Sequence, residues 1–178
     1  MNVTSGGGAG YHPDPPPDSE ATEHPDRVSL PGIATREDCE RLVRLFYTRA
    51  LADPIIGFLF TDIAKLDLEA HIPRITRFWE TVLLGAHSYG GGAFGKHLHL
   101  HAKVPLLHGH FERWLYLWGM TVDELFSGPV AEQAKVHAGR VATAFQARLR
   151  AFDEADDGSP AAVAAMPVVH QYGRAGGG

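Results

Sequence analysis

Between residues 34 and 152 the apolar positions recur at helical spacing almost without a break. Cys39, Leu42, Val43, Phe46 and Ala50 follow the i, i+3, i+4 rule and predict a first helix. Thr35 stands ahead of it as an N-cap, and Glu37 and Asp38 suit the positive end of its dipole. Asp53-Pro54 reads as a cap followed by proline at the first helical position, opening a short helix through Phe60. Asp67 caps a third helix whose stripe is Leu68, Ile72, Ile75, Trp79, Val82 and Leu83, with a stop at Gly85. Pro73 interrupts its interior, which predicts a bend. Ala86 to Gly95, with Gly90-Gly91-Gly92, reads as a loop. Leu107, Phe111, Trp114, Leu115 and Trp118 share a face of a helix over Leu107–Met120. Thr121-Val-Asp-Glu124 is a capping-box pattern, predicting a separate turn through Phe126. The last helix is expected over about Val130–Phe152, with Ala134, Ala138, Val141, Phe145, Leu149 and Phe152 facing in. No segment alternates convincingly as a strand. The expected fold class is all-α.

Charge divides the chain in the same places. The whole carries 16 Lys+Arg against 21 Asp+Glu, a net −5. Residues 1–31 hold −4 and residues 153–178 hold −3, so the stretch between is +2. Both ends are also rich in Gly, Pro and Ala, a composition that cannot bury enough apolar surface to offset chain entropy. The expected organisation is a disordered tail at 1–33, one domain at 34–152 and a mostly disordered tail at 153–178, with weak helix across Pro160–Met166. The acidic balance argues against general affinity for nucleic acid or anionic membranes. No apolar run reaches the roughly 18–20 residues of a membrane span, and the first residues carry neither a basic leader nor an apolar segment. A single cysteine, Cys39, excludes a disulfide framework within the chain. A cytoplasmic location is the expectation.

Candidate chemistry lies in the histidines. Of the 11 in the chain, His97, His99, His101, His108 and His110 fall close together. The aromatics Phe46, Tyr47, Phe60, Phe78, Trp79, Phe111 and Trp114 occupy the neighbouring helices. Apolar helix faces with a few imidazoles are what a large flat prosthetic group between helices requires, since haem iron takes one strong axial ligand, usually neutral imidazole. Two plainer readings stand beside this one: a histidine on a helix is more often at the surface or satisfied in the core, and an aromatic stripe is usually packing. A non-haem metal reading also stands, with His97-x-His99-x-His101 chelating Zn or Ni, although that alternation suits a strand. In a third reading the helical domain is a sensor or interaction module, for which the tails offer no output domain. Cys39, in the first turn of its helix, sits where thiolate is favoured, but far in sequence from the histidines.

Residue order adds a further argument. The run Leu45-Phe-Tyr-Thr-Arg-Ala-Leu-Ala-Asp-Pro54-Ile-Ile-Gly-Phe-Leu-Phe60 resembles the first helices of truncated haemoglobins. So do His71-Ile-Pro-Arg-Ile75-Thr-Arg-Phe78-Trp79, continuing to Leu83-Leu84-Gly85, then Tyr89-Gly90, and His110-Phe111-Glu-Arg-Trp114-Leu115. Taken in order, over about residues 36–150, these segments resemble the group III branch of that family. The resemblance implies a two-over-two helical sandwich clamping haem b (iron protoporphyrin IX) between two antiparallel helix pairs. It implies His97 as the proximal iron ligand rather than His99 or His101, because Leu83-Leu84-Gly85, Tyr89 and His97 keep the family's intervals. On the distal side it implies Tyr47, His71 and Trp114 as ligand-stabilising residues. Phe46, Phe60, Ile75, Phe78, Tyr89 and Phe111 are the expected contacts with the macrocycle. Arg77, Lys96, Lys103 and Arg113 are available for the propionates, with no choice among them.

The function implied is binding of O2 and other diatomics (NO, CO) at a five-coordinate iron with a polar distal pocket. Tyr47 offers a phenol, Trp114 an indole N–H, and His71 a donor or a gate. Several donors around one polarised ligand favour slow O2 release, which suits NO detoxification or peroxide chemistry better than O2 delivery. Either reaction draws electrons from elsewhere, and no flavin or nicotinamide fingerprint is present, so a separate reductase is an expected partner.

Overall fold

The computed structural model describes residues 30–156 and consists there of five α-helices and one short π-helical segment. Helix α1 spans Arg36–Ala52, α2 Leu68–Leu84, α3 Ala93–His101, α4 His108–Leu125 and α5 Pro129–Asp156. The π-helical segment covers Leu59–Ile63. Among the described residues there is no strand.

Local chemistry sets the helix ends. Thr35 accepts from the Asp38 backbone N–H at 3.1 Å, and the Asp38 carboxylate accepts from Thr35 N at 2.9 Å, a reciprocal box that fixes the start of α1. Asp67 accepts from Ala70 N at 3.1 Å to open α2, and Gly85 closes it in the left-handed region (φ 73°). Asp53 does cap the expected turn, accepting from Ile55 N and Ile56 N at 2.9 and 3.1 Å. Beyond that cap the chain makes a turn that widens into the π-helical segment at Leu59–Ile63, not a simple helix to Phe60.

Further sequence expectations are revised. Thr121 does not open a new turn. Its hydroxyl donates to Leu117 O at 2.7 Å and accepts from Arg49 Nη1 at 3.0 Å, so α4 runs unbroken to Leu125. The expected loop at Ala86–Gly95 ends early, because α3 begins at Ala93 behind a Gly92 cap with φ 83°. The last helix passes Phe152 and continues to Asp156. At the other end Ile33 is buried and the Leu30 and Pro31 carbonyls accept from Ser127. Residues 30–33 and 153–156, placed in the expected tails, are thus among the described residues. The rest of both expected tails, with the weak helix across Pro160–Met166, lies outside the described residues.

Helix α1 packs on α2 and α4, and α5 packs on α4 and α2. This gives the two-over-two arrangement, with α1 and α2 as one pair and α4 and α5 as the other. Its main core joins Leu42, Val43, Phe46 and Ala50 of α1 to Ile72, Trp79 and Leu83 of α2 and to Leu117, Trp118 and Val122 of α4. Alanines 131, 134 and 138 let α5 approach closely, and Trp118 donates its Nε1–H to Ala134 O at 3.2 Å. A second cluster stands apart: Phe111, Ala142 and Leu149, with Phe94, Leu98 and Phe145 against them. Leu106 and Leu115 border both clusters.

Two ionic ties brace the main core. Arg36 pairs with Glu80 at 2.9 Å between α1 and α2, and Arg113 of α4 pairs with Asp53 at 2.7 Å. Gly57 is required where the turn after Asp53 meets the end of α1: a Cβ there would lie 2.6 Å from Leu51 O and 3.3 Å from Leu51 C. Gly57→Ala must therefore push backbone against backbone, and is expected to lower the unfolding free energy by about 1–3 kcal/mol. Urea unfolding followed by circular dichroism measures this, and an unchanged midpoint would mean the close approach is absent.

Candidate functional site

Most of the sequence-predicted residues lie in the main core or against it, and Phe111 belongs to the second cluster. Tyr47 is buried on α1, one residue after Phe46, and its ring meets Phe46, Phe60 and His71 edge-on at centroid distances of 5.2, 5.8 and 5.1 Å. Its hydroxyl lies 2.8 Å from His71 Nε2 across the α1–α2 interface. Trp114 packs edge-on against Phe46 at 5.5 Å and stacks parallel to Trp118 at 5.8 Å. Ile75 and Phe78 are half-buried against the main core, one helical turn and about two turns beyond His71. Phe78 meets Tyr89 edge-on at 5.2 Å, and the Tyr89 hydroxyl is buried with no hydrogen-bond partner among the described residues.

His97 lies on the other cluster. Its ring sits 4.6 Å from the Phe145 ring of α5, and its Nδ1 is 2.9 Å from the Ala93 carbonyl one turn earlier. A carbonyl only accepts, so Nδ1 carries the hydrogen and Nε2 keeps its lone pair. A neutral imidazole so arranged is the form that ligates metals, with the backbone bond fixing the tautomer. Burial lowers the His97 pKa, which keeps the ring neutral. Phe111 belongs to this cluster too.

The three alternating histidines do not converge. On helix α3 residues two apart point to different sides. His99 is exposed, and His101 has both nitrogens occupied, by the Leu106 N–H at 3.0 Å and Asp153 at 2.9 Å. Among the described residues no group of three His, Cys, Asp or Glu side chains stands together to hold an ion. The alternation of His97, His99 and His101 suited a strand; on helix α3 the three side chains do not share a face.

Burial sets the protonation of the other candidates as well. Burial drives the His71 pKa down to about 4, helped by the positive charges His97, Arg74 and Lys96 present when protonated. Burial alone pushes the Tyr47 phenol up, so it keeps its proton. Because the folded His71 titrates near 4 and an unfolded one near 6.5, this group's contribution is complete above 6.5 and falls as pH drops towards 4. An NMR titration of the purified chain is expected to place the His71 midpoint more than one pH unit below 6.5. An ordinary midpoint would show that His71 is open to water.

Other assignments change. Arg113 is held by Asp53 and stacks its guanidinium on Tyr116 at 5.0 Å, which removes it from the free basic residues. Arg74, overlooked in the sequence, donates to Gly91 O at 3.1 Å beside the glycine run. Cys39 is fully buried with its thiol pushed up to about 12, chiefly by burial, so no thiolate forms at that helix start. Phe94, Phe145 and Asp153 complete the surroundings of α3. The i, i+3, i+7 placement of Phe94, His97 and His101 is the sequence signal that locates that face.

Comparison with solved structures decides the fold family. The chain superposes on a crystal structure described as a group III truncated haemoglobin from Campylobacter jejuni with a TM-score of 0.57 and 28% sequence identity, covering 65% of this chain and 91% of that one. The fold is that of a group III truncated haemoglobin. No family model matches the sequence, and no curated protein matches it either. The truncated-globin likeness therefore rests on three-dimensional shape together with the order of residues along the chain. Among the described residues, no helix is long and apolar enough to cross a membrane.

Proposed function

We propose that the chain binds haem b along the divide between its two apolar clusters, with His97 as the axial ligand and Tyr47, His71 and Trp114 on the opposite side. The residues present fit the group. Phe60, Ile75, Phe78, Trp114, Phe94, Leu98 and Phe145 are all only half-buried at the margins of the clusters, an apolar lining suited to a flat macrocycle. Tyr89 offers an unpartnered buried hydroxyl at its edge. The single observation that carries the reading is the His97 imidazole, its Nδ1 bonded to the Ala93 carbonyl so that Nε2 is unused, its pKa lowered by burial. Bound haem would supply an iron able to take O2, NO or CO.

The chain's own residues would then set how such a ligand is held. When His71 carries its hydrogen on Nε2 it donates to the Tyr47 oxygen, which frees the Tyr47 O–H to donate to a polarised ligand. The Trp114 indole, whose ring packs against Phe46 and Trp118, is a second donor. Phe46 and Phe60 brace Tyr47 and exclude water around it. Such a donor set favours retention over delivery. Oxidation of NO by O2 to nitrate consumes one electron per turnover, and peroxide reduction to water consumes two, so a reductase is part of the proposal. The expected setting is the cytoplasm, where such reductants are available.

Titration of the purified chain with hemin is expected to saturate at one equivalent with an intense Soret band, and the reduced form is expected to bind CO, O2 and NO. A chain that stays colourless in hemin would remove the proposal.

A further inference from the structure

Helix α3 is short and lies against α5 along one stripe. Phe94 meets Phe145 edge-on at 5.5 Å, and the Arg148 guanidinium caps the other face of this contact, 3.7 Å from the Phe94 centroid. His97 also rests on Phe145, and one turn later His101 reaches Asp153. His101 is only 9% exposed, and its tautomer follows from its partners. The Leu106 N–H can only donate, so Nδ1 accepts at 3.0 Å; Nε2 therefore carries the hydrogen and donates to Asp153 Oδ1 at 2.9 Å. One imidazole thus joins the end of α3, the turn leading into α4, and α5.

We propose that His101 and Asp153 are positioning residues for His97: they lock the last turn of α3 so that the His97 ring keeps one orientation towards the iron. The proposal rests on the reading of His97 as the axial ligand. Phe94 and Arg148 anchor the helix before His97, and the His101–Asp153 bond anchors it after, so the imidazole sits between two fixed points. With the second point lost, the turn at Leu106 and the end of α3 can loosen, and the His97 ring samples a spread of orientations. The Asp153 side chain is 57% exposed, so its replacement leaves no buried charge.

The test uses the full chain with Asp153→Ala and Asp153→Asn, the latter keeping an acceptor oxygen for Nε2–H. Amide exchange at Leu106 is expected to quicken about tenfold in Asp153→Ala, as for the loss of one hydrogen bond. The iron–imidazole stretching band of the reduced haem-loaded protein, read by resonance Raman, is expected to broaden and shift in the same variant. Asp153→Asn should restore both. Faster Leu106 exchange with an unaltered band would make the contact a structural tie only and overturn the proposal, as would unaltered exchange. An absent band in the unsubstituted protein, with Leu106 still responding to Asp153→Ala, would instead locate the failure in the assignment of His97.

Discussion

Tyr47→Phe is expected to speed the loss of O2 from the reduced protein by roughly tenfold to a hundredfold, the kinetic equivalent of about 1–3 kcal/mol for a hydrogen bond made in a dry pocket. The phenol is buried, keeps its proton and lies 2.8 Å from His71 Nε2, so its removal deletes the donor and leaves the imidazole without its partner. Stopped-flow dissociation of O2 reads the effect directly. His71→Leu should act in the same direction but more weakly, because Tyr47 keeps its own hydrogen and loses only the polarising bond. CO, which gains far less negative charge, should leave Tyr47→Phe at close to the original rate. Equal effects on O2 and CO would mean that the substitution opened the pocket instead of removing a donor.

Asp53→Ala is expected to cost about 2–4 kcal/mol of stability and to lower Tm by on the order of 10 °C. The Asp53 side chain is only 2% exposed and serves three partners: Arg113 at 2.7 Å and the Ile55 and Ile56 amides. Burial raises its pKa, but the Arg113 bond and the two amides outweigh that and hold the carboxyl below its usual range. Its contribution is therefore complete above the ordinary carboxylate pKa and is lost as pH falls through the lower folded value. Asp53→Asn keeps one acceptor for the amides and should recover part of the loss. Arg113 is partly exposed and can reach water, which keeps the expected cost at the lower end for a broken buried pair. A thermal midpoint unchanged in Asp53→Ala would show that this tie between the start of the turn and α4 contributes nothing.

The helices were legible because their signals are local. The Thr35 box, the Asp67 cap, the Gly85 stop and the apolar stripes of α1, α2 and α4 all act within a few residues. Two elements differ from their local patterns, one through a distant partner and one through backbone conformation alone. Thr121 looks like a cap until Arg49 of α1 engages its hydroxyl, and α3 starts from a glycine that caps without any side chain. The residue types of the candidate site were equally visible: a tyrosine, a tryptophan and several histidines among aromatics. Their pairing was not, since Tyr47 and His71 meet from different helices and the Ala93 carbonyl that orients His97 has no sequence signature. His97 and His101 look alike in the alternating run. Only the hydrogen-bond partners, Leu106 and Asp153 on one and a single backbone carbonyl on the other, separate a satisfied histidine from one with a free nitrogen.

That free nitrogen is where the account is most directly tested. Hemin is to be titrated into the unsubstituted chain, His97→Ala and His99→Ala, with the reduced spectra recorded before and after added imidazole. The account predicts a five-coordinate, histidine-bound spectrum in the first and third, and in His97→Ala a loss of that spectrum that free imidazole restores. Retention of the histidine-bound spectrum in His97→Ala, or its loss in His99→Ala, would contradict it.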